Sequence, residues 1–229
     1  MNAAVRVSKR LIDIVGASIG LAVLAPLFPV VAAAVGLEAI GGSIIVKRRR
    51  AGRFVARGRG EAGPVFREFR MLKLRTGPGD DIQGAVSTTA PGKLAMFLER
   101  TRLDEMPQLV NVLWGDMSLV GPRPERPEVM RILAAEFPSF EISLSDLKPG
   151  MTGLGRVSAR PSARVPVDGT WGAGPDTGEL QPALDEDLQV KLGLDLRYIA
   201  ATENLSEFLR LEFAILAKTL FVFMEKLRA

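Results

Sequence analysis

The residues best suited to chemistry in this sequence are two adjacent acids, Asp104 and Glu105, and an arginine between two prolines, Arg123 in Gly-Pro-Arg-Pro. Pro107 suits the first turn of a helix, which would put both acids at the helix start, where the backbone dipole favours ionised carboxylates. The prolines stiffen the backbone around Arg123, whose planar guanidinium suits a phosphate or a carboxylate. Acid pairs recur elsewhere in the chain, so the pair by itself does not indicate an active site, and only its neighbouring residues do.

Composition narrows the chemistry further. The 229 residues include no cysteine and no histidine. Zinc sites built from those ligands, thiol nucleophiles, Ser-His-Asp triads and imidazole acid/base steps are therefore excluded. Catalysis must come from carboxylates, lysine, arginine or hydroxyl groups.

A basic segment, residues 47–75, precedes the acid pair. It holds eleven Lys and Arg against Glu61 and Glu68, nine net positive charges in a chain whose total is only +4. Such a field attracts phosphates or anionic lipid. Nucleic acid is not the expected partner, because few aromatic residues are interleaved and no RNA-binding signature is present.

One long apolar run, residues 14–37, contains 24 uncharged residues. As a straight helix it would measure ~36 Å, enough to span a bilayer. Positive charge at both ends and two central prolines, Pro26 and Pro29, favour instead a kinked helix that enters and leaves on one face. A spanning helix and a cleaved signal peptide are the alternatives.

The rest of the chain shows a mixed pattern. Periodicity and punctuation predict a partial strand at 65–75, helices at 93–100, 106–115 and 124–137, a short strand at Leu154 to Val157, and an amphipathic helix at 205–227. That last helix suits either the protein core or a membrane interface. Residues 158–187 are rich in Gly and Pro and are predicted to form a long loop insert.

Five motifs occur together in a specific order: "KRLID", "KLRT", "LDEMPQLVNVLWGDMSLVGPRP", "KPGMTGLGRVSAR" and "LDLRYI", which begin at residues 9, 73, 103, 148 and 194. In these motifs the chain resembles bacterial sugar transferases, the monotopic phosphoglycosyl transferases, in their short form. The resemblance covers nearly the whole chain except about 158–187. It implies transfer of a sugar 1-phosphate from a UDP-sugar to polyprenol (undecaprenyl) phosphate, which initiates glycoconjugate or exopolysaccharide synthesis.

The resemblance also implies residue roles. Asp104 would be the nucleophile that forms a covalent phospho-sugar intermediate and releases UMP, and Glu105 would hold Mg²⁺. No general base is needed, because a carboxylate and a lipid phosphate are both ionised at neutral pH. The expected substrate-binding residues are Lys73, Arg75, Arg102, Arg123, Arg156, Asp195 and Tyr198.

Two departures from the family pattern affect the expected site. Glu99 stands five places before Asp104, where the family usually has a basic residue, and Leu154 and Arg156 replace an aromatic residue and a glutamine. The donor sugar and the later glycan are left open. An inactive paralogue, a membrane-bound adaptor that binds anionic lipid, and a Mg²⁺-dependent phosphatase remain the alternatives.

The expected architecture follows from these segments. We predict a mixed, helix-rich α/β fold with a re-entrant membrane helix in residues 1–46, interfacial amphipathic helices, and a cytosolic catalytic domain with a short sheet in residues 47–229. The expected location is the cytoplasmic face of the bacterial inner membrane, in contact with membrane lipid. A homodimer is left open.

Overall fold

The computed structural model describes residues 1–38, 42–57, 64–77, 92–136, 147–158 and 186–228. The helices are α1 (Ala3–Leu24), α2 (Phe28–Glu38), α3 (Lys93–Thr101), α4 (Gln108–Trp114), α5 (Pro127–Glu136), α6 (Leu154–Ser158), α7 (Glu186–Ala201) and α8 (Leu205–Arg228). The strands are β1 (Ile45–Arg57), β2 (Pro64–Leu74), β3 (Ser118–Val120) and β4 (Gly150–Thr152). The predicted helix-rich mixed fold is confirmed at this level, whereas most of the predicted insert, residues 159–185, lies outside the described residues.

The N-terminal apolar run forms two helices. α1 ends at Leu24, and α2 begins at Phe28, with Pro26 between them and Pro29 in the first turn of α2. Within the described residues, no single helix passes the length and hydropathy test for crossing a membrane. The pair Ala3–Leu24 and Phe28–Leu37 passes it only jointly, with a bend of 65°. The bend lies where the prolines remove helix hydrogen bonds.

Strands β1 and β2 pair as an antiparallel hairpin, from Ile45 opposite Leu74 to Arg57 opposite Pro64. The pairing shifts twice between Ala51 and Ala56, a bulged region that increases the local twist. The strand predicted at 65–75 is confirmed as β2. β1 was not predicted, because arginines occupy several successive positions and conceal the period-2 pattern.

The second sheet joins β3 and β4 in parallel, with Ser118 opposite Gly150 and Val120 opposite Thr152. A side chain on Gly150 would meet the Gly121 backbone, so glycine permits this close approach. The strand predicted at Leu154 to Val157 is wrong, because those residues lie in α6, where the Val157 amide bonds to the Gly153 carbonyl at 3.1 Å. The strand forms instead a few residues earlier, as β4 at Gly150–Thr152.

The remaining predicted helices are present with small shifts. The segment predicted at 106–115 begins its helix at Gln108, and Pro107 precedes it with φ −62°. α4 ends at Trp114 and is capped by Gly115, whose φ of +87° suits glycine and whose amide donates to the Asn111 carbonyl at 3.0 Å. The Asn111 side chain in turn bonds to β2, accepting from the Leu72 amide and donating to the Arg70 carbonyl. α4 and β2 are thereby fixed side by side.

Candidate active site

The acid pair lies in a short 3-10 turn, Leu103–Glu105, between α3 and α4. Arg102 ends α3 in the left-handed conformation, with φ 56°, which is rare for a residue with a side chain. Leu103 and Met106 are buried in a cluster with Leu74 and Leu98. Apolar burial on both sides of the acids therefore fixes the backbone of the turn, and the unusual conformation at Arg102 is maintained next to the functional groups.

Asp104 is 4% exposed, and Oδ2 lies 3.0 Å from Lys73 Nζ at the end of β2. The other oxygen, Oδ1, is buried and has no hydrogen-bond partner among the residues that the structure describes. Burial raises the pKa of Asp104, and the Lys73 ammonium opposes that effect. The result is a fixed carboxylate with one oxygen left available for another group.

Glu105 is held differently. Oε1 lies 3.1 Å from Arg102 Nη1, and Oε2 lies 3.3 Å from Arg156 Nη1. Burial alone would raise the pKa of Glu105, but the guanidinium groups of Arg156 and Arg102 outweigh it and lower the pKa. Burial also lowers the pKa of Arg156 to about 10, and this side chain donates to the Met151 carbonyl as well. Glu105 is therefore ionised at neutral pH.

A second group of charges lies around Glu125. Arg123 is half exposed, with Nε 3.4 Å from Glu125 Oε1, and its positive charge also helps to lower the pKa of Glu105. Arg50 on β1 is nearby, and its Nε is buried without a hydrogen-bond partner in the described part of the chain. Burial and the Glu125 charge raise the pKa of Asp195 to about 7. Arg123 therefore acts on Glu105 by its charge and also pairs with Glu125, whose charge acts on Asp195.

The structure thus brings together most of the predicted site residues: Asp104, Glu105, Lys73, Arg102 and Arg156 by direct contact, with Arg123 close enough to act on Glu105. Asp195 is linked to them less directly, through the charge of Glu125, the ion-pair partner of Arg123. Two predicted residues have other neighbours. Arg75 is buried against Gly42 and donates from Nε to the Ser43 carbonyl at 2.7 Å. Tyr198 is buried in a separate polar cluster on α1, α7 and α8.

That separate cluster contains residues to which we assigned no role from the sequence. Lys9 Nζ donates to the Val120 carbonyl at 2.8 Å and to the Tyr198 hydroxyl at 2.8 Å, and pairs with Glu212 Oε1 at 3.1 Å. Asp13 accepts from the Ser118 hydroxyl and the Leu119 amide, each at 2.8 Å. The sequence contains one sign of this cluster: Lys9 and Asp13 are four residues apart, about one helical turn, so they lie on the same face of the helix.

The donor set can be tested against the expected Mg²⁺. No group of three or more metal-binding side chains is present among the described residues. Mg²⁺ bound through substrate phosphates and water needs only one or two carboxylates, however. Asp104 and Glu105 are adjacent, Oδ1 of Asp104 is unpartnered, and each Glu105 oxygen has further lone-pair capacity beyond its one arginine. The residues fit a cation bound together with a diphosphate.

Comparison with known proteins identifies the class. The sequence pattern of the family described as bacterial sugar transferase matches residues 4–226. The chain belongs to this family, and the transferase class predicted from the sequence motifs is confirmed.

Individual relatives carry more detailed names. A UDP-glucose:undecaprenyl-phosphate glucose-1-phosphate transferase of Caulobacter vibrioides is 36% identical over 160 residues, which are 67% of this chain and 55% of that protein. A Bacillus subtilis protein named for N-acetylgalactosaminyl 1-phosphate transfer to undecaprenyl phosphate is 37% identical over 137 residues, covering 58% and 70%. The exopolysaccharide production protein ExoY of Rhizobium meliloti is 30% identical over 173 residues, covering 67% and 70%. The chain spans about a third of several longer relatives.

Proposed function

We propose that this protein transfers a sugar 1-phosphate from a UDP-sugar to undecaprenyl phosphate or a similar polyprenol phosphate, and so initiates synthesis of a glycoconjugate or exopolysaccharide. The observation that carries the proposal is Asp104 Oδ1, a buried carboxylate oxygen without a hydrogen-bond partner in the described structure. A buried polar atom left unsatisfied is costly and calls for an explanation, and for Oδ1 that explanation is a bond to the substrate. The names of the relatives support the substrate classes.

The first step uses the free oxygen of Asp104. Oδ1 attacks the sugar-proximal phosphorus of the UDP-sugar, the bond from that phosphorus to the bridging oxygen breaks, and UMP leaves with the electron pair. Asp104 then bears a phospho-sugar. Lys73, 3.0 Å from Oδ2, holds the carboxylate in position. A carboxylate that pairs with an ammonium group needs no histidine or other general base to act as the nucleophile.

In the second step an oxygen of the lipid phosphate attacks the same phosphorus. The bond to Asp104 breaks, the carboxylate is restored, and polyprenyl diphosphate-sugar is formed. Arg102, Arg123 and Arg156 supply the positive charge that stabilises the transferring phosphoryl group. Mg²⁺, held by Glu105 beside Asp104, would neutralise charge on the diphosphate and on the departing UMP.

The two faces of α1 support contact with a membrane. Its buried face contains the charged residues Lys9 and Asp13, while its exposed apolar side chains include Val7, Leu11, Val15, Ile19 and Val23, each more than half exposed. A helix in water has the opposite arrangement. The bend at the prolines supports a re-entrant helix, with the catalytic domain on the cytoplasmic face.

The aromatic residues extend this surface. Trp114 on α4, Phe97 on α3, and Phe213 and Phe221 on α8 are all more than half exposed. Aromatic and apolar side chains of this kind suit the interface between lipid and water. The cysteine-free chain allows a clean topology test with single cysteines at positions 2 and 50. Labelling of both from one side is expected, and labelling from opposite sides would exclude the re-entrant arrangement.

The activity is tested by product analysis. Purified protein with Mg²⁺, polyprenol phosphate and a panel of UDP-sugars should release UMP and form a lipid-linked diphosphate sugar with at least one donor. Omission of the lipid phosphate should prevent formation of the lipid product. Free sugar phosphate in place of the lipid product would indicate a phosphatase, and binding of anionic lipid without turnover would indicate an adaptor.

A further inference from the structure

We infer that Glu99 is a positioning residue that shares Lys73 with Asp104 and thereby balances donor binding against turnover. The inference rests on the proposed function, because it concerns the nucleophile of that reaction. Lys73 Nζ lies 3.0 Å from Asp104 Oδ2 and 3.7 Å from Glu99 Oε1. One ammonium group is therefore divided between two carboxylates.

A hydroxyl group links the same residues. Lys73 Nζ donates to Thr76 Oγ1 at 3.4 Å, and Thr76 Oγ1 donates to Glu99 Oε1 at 2.8 Å. Glu99 lies in the last turn of α3, whereas Lys73 and Thr76 lie at the end of β2 and just after it. The link therefore fixes the lysine ammonium between two separate elements. Glu99 acts on Asp104 through this lysine, and its negative charge also helps to raise the pKa of Asp104 directly.

The shared lysine has two consequences of opposite sign. With Glu99 ionised, Lys73 neutralises Asp104 only in part. The Asp104 carboxylate is then a better nucleophile than it would be if Lys73 paired with it alone. The same negative charge lies close to the site of an anionic donor and weakens its binding. Removal of the charge should therefore tighten donor binding and slow turnover, a combination that simple loss of structure does not produce.

The experiment compares Glu99→Gln with Glu99→Asp, which keeps the charge, and with Glu203→Gln. Glu203 is an exposed acid in the turn between α7 and α8, so its variant controls for the loss of one negative charge far from Lys73. UDP affinity is measured by titration calorimetry with Mg²⁺, and kcat and KM are measured from UMP release. In Glu99→Gln, UDP should bind about three- to tenfold more tightly and kcat should fall about tenfold. Glu99→Asp should retain most of both wild-type values, and Glu203→Gln should match the wild type.

Two results would overturn the inference: an unchanged UDP affinity in Glu99→Gln, or weaker UDP binding together with a lower kcat. Failure of the proposed function has a different signature. If the wild type binds UDP but releases UMP from no UDP-sugar, the proposed reaction is wrong, whereas the UDP affinities still show whether the charge of Glu99 weakens nucleotide binding.

Discussion

Two groups of buried charges in this protein differ in how completely their hydrogen bonds are satisfied. Around Lys9, the ammonium has three acceptors, and both Glu212 oxygens have donors. At Asp104, one oxygen is paired with Lys73 and the other has no hydrogen-bond partner in the described structure. A fully satisfied network stabilises one arrangement of the chain, whereas an incomplete one leaves an atom available for a substrate.

The two groups also connect different parts of the molecule. The Lys9 and Asp13 side chains fasten α1 to β3, and β3 leads directly into the turn that carries Arg123. The Asp104 group is built from β2, the turn after α3, and α6. The first group is therefore structural and the second catalytic in the proposed function, and substitutions should separate the two.

The largest expected effect is on turnover. Asp104→Asn keeps the shape of the side chain but removes the nucleophilic carboxylate, so UMP release should fall on the order of 10³-fold or more. Its thermal unfolding in detergent should stay close to that of the wild type, because burial already disfavours the charged form of Asp104. A fully active Asp104→Asn variant would remove the distinction between the two groups.

The largest expected effect on stability comes from Lys9→Met. Glu212, which is 0% exposed, would lose its counter-charge, and breaking a buried pair in this way costs about 3–5 kcal/mol of unfolding free energy. Denaturant unfolding in detergent measures this loss. The double variant Lys9→Met/Glu212→Gln is the control, because it removes both charges and should recover part of the stability. A stable single variant would show that the network does not hold α1.

A smaller effect is expected from Asp195→Asn, and it depends on pH. The folded-state pKa of Asp195 is about 7, above its ordinary value of 3.8, so ionisation opposes folding at high pH. The penalty is complete above about pH 7 and is lost gradually as pH falls from about 7 towards 3.8. Asp195→Asn should therefore be more stable than the wild type at pH 8, by on the order of 1–3 kcal/mol, and similar near pH 4. If the unfolding free energies of the two proteins changed in parallel between pH 4 and pH 8, the raised pKa of Asp195 would be contradicted.

The sequence motifs predicted the catalytic group better than the structural one. Asp104, Glu105 and Arg102 are local neighbours, and the basic residues Lys73 and Arg156 could be assigned from the family resemblance before their contacts were known. Lys9 and Glu212 are 203 positions apart, and no local pattern pairs such distant residues. The position of Tyr198 beside them, rather than in contact with the acid pair, has the same cause.

The secondary structure shows a similar division. Helices with clear periodicity, such as α8, could be predicted from the sequence, because their apolar residues recur at helical spacing. The strand β4 could not be located correctly, because its position depends on the close approach of Gly150 to the Gly121 backbone. That approach is a tertiary contact, and a short run of apolar residues between glycines does not reveal it.

In the proposed reaction, Asp104 Oδ1 forms a bond to the transferred phosphorus. The most direct measurement is intact-protein mass spectrometry after incubation with Mg²⁺ and an active UDP-sugar, without polyprenol phosphate. A mass increase equal to one sugar 1-phosphate less one water is predicted for the wild type, with fragmentation placing it on Asp104, and addition of the lipid phosphate should discharge it. An adduct on another residue, or lipid-linked product formed at the wild-type rate by Asp104→Asn, would contradict the account.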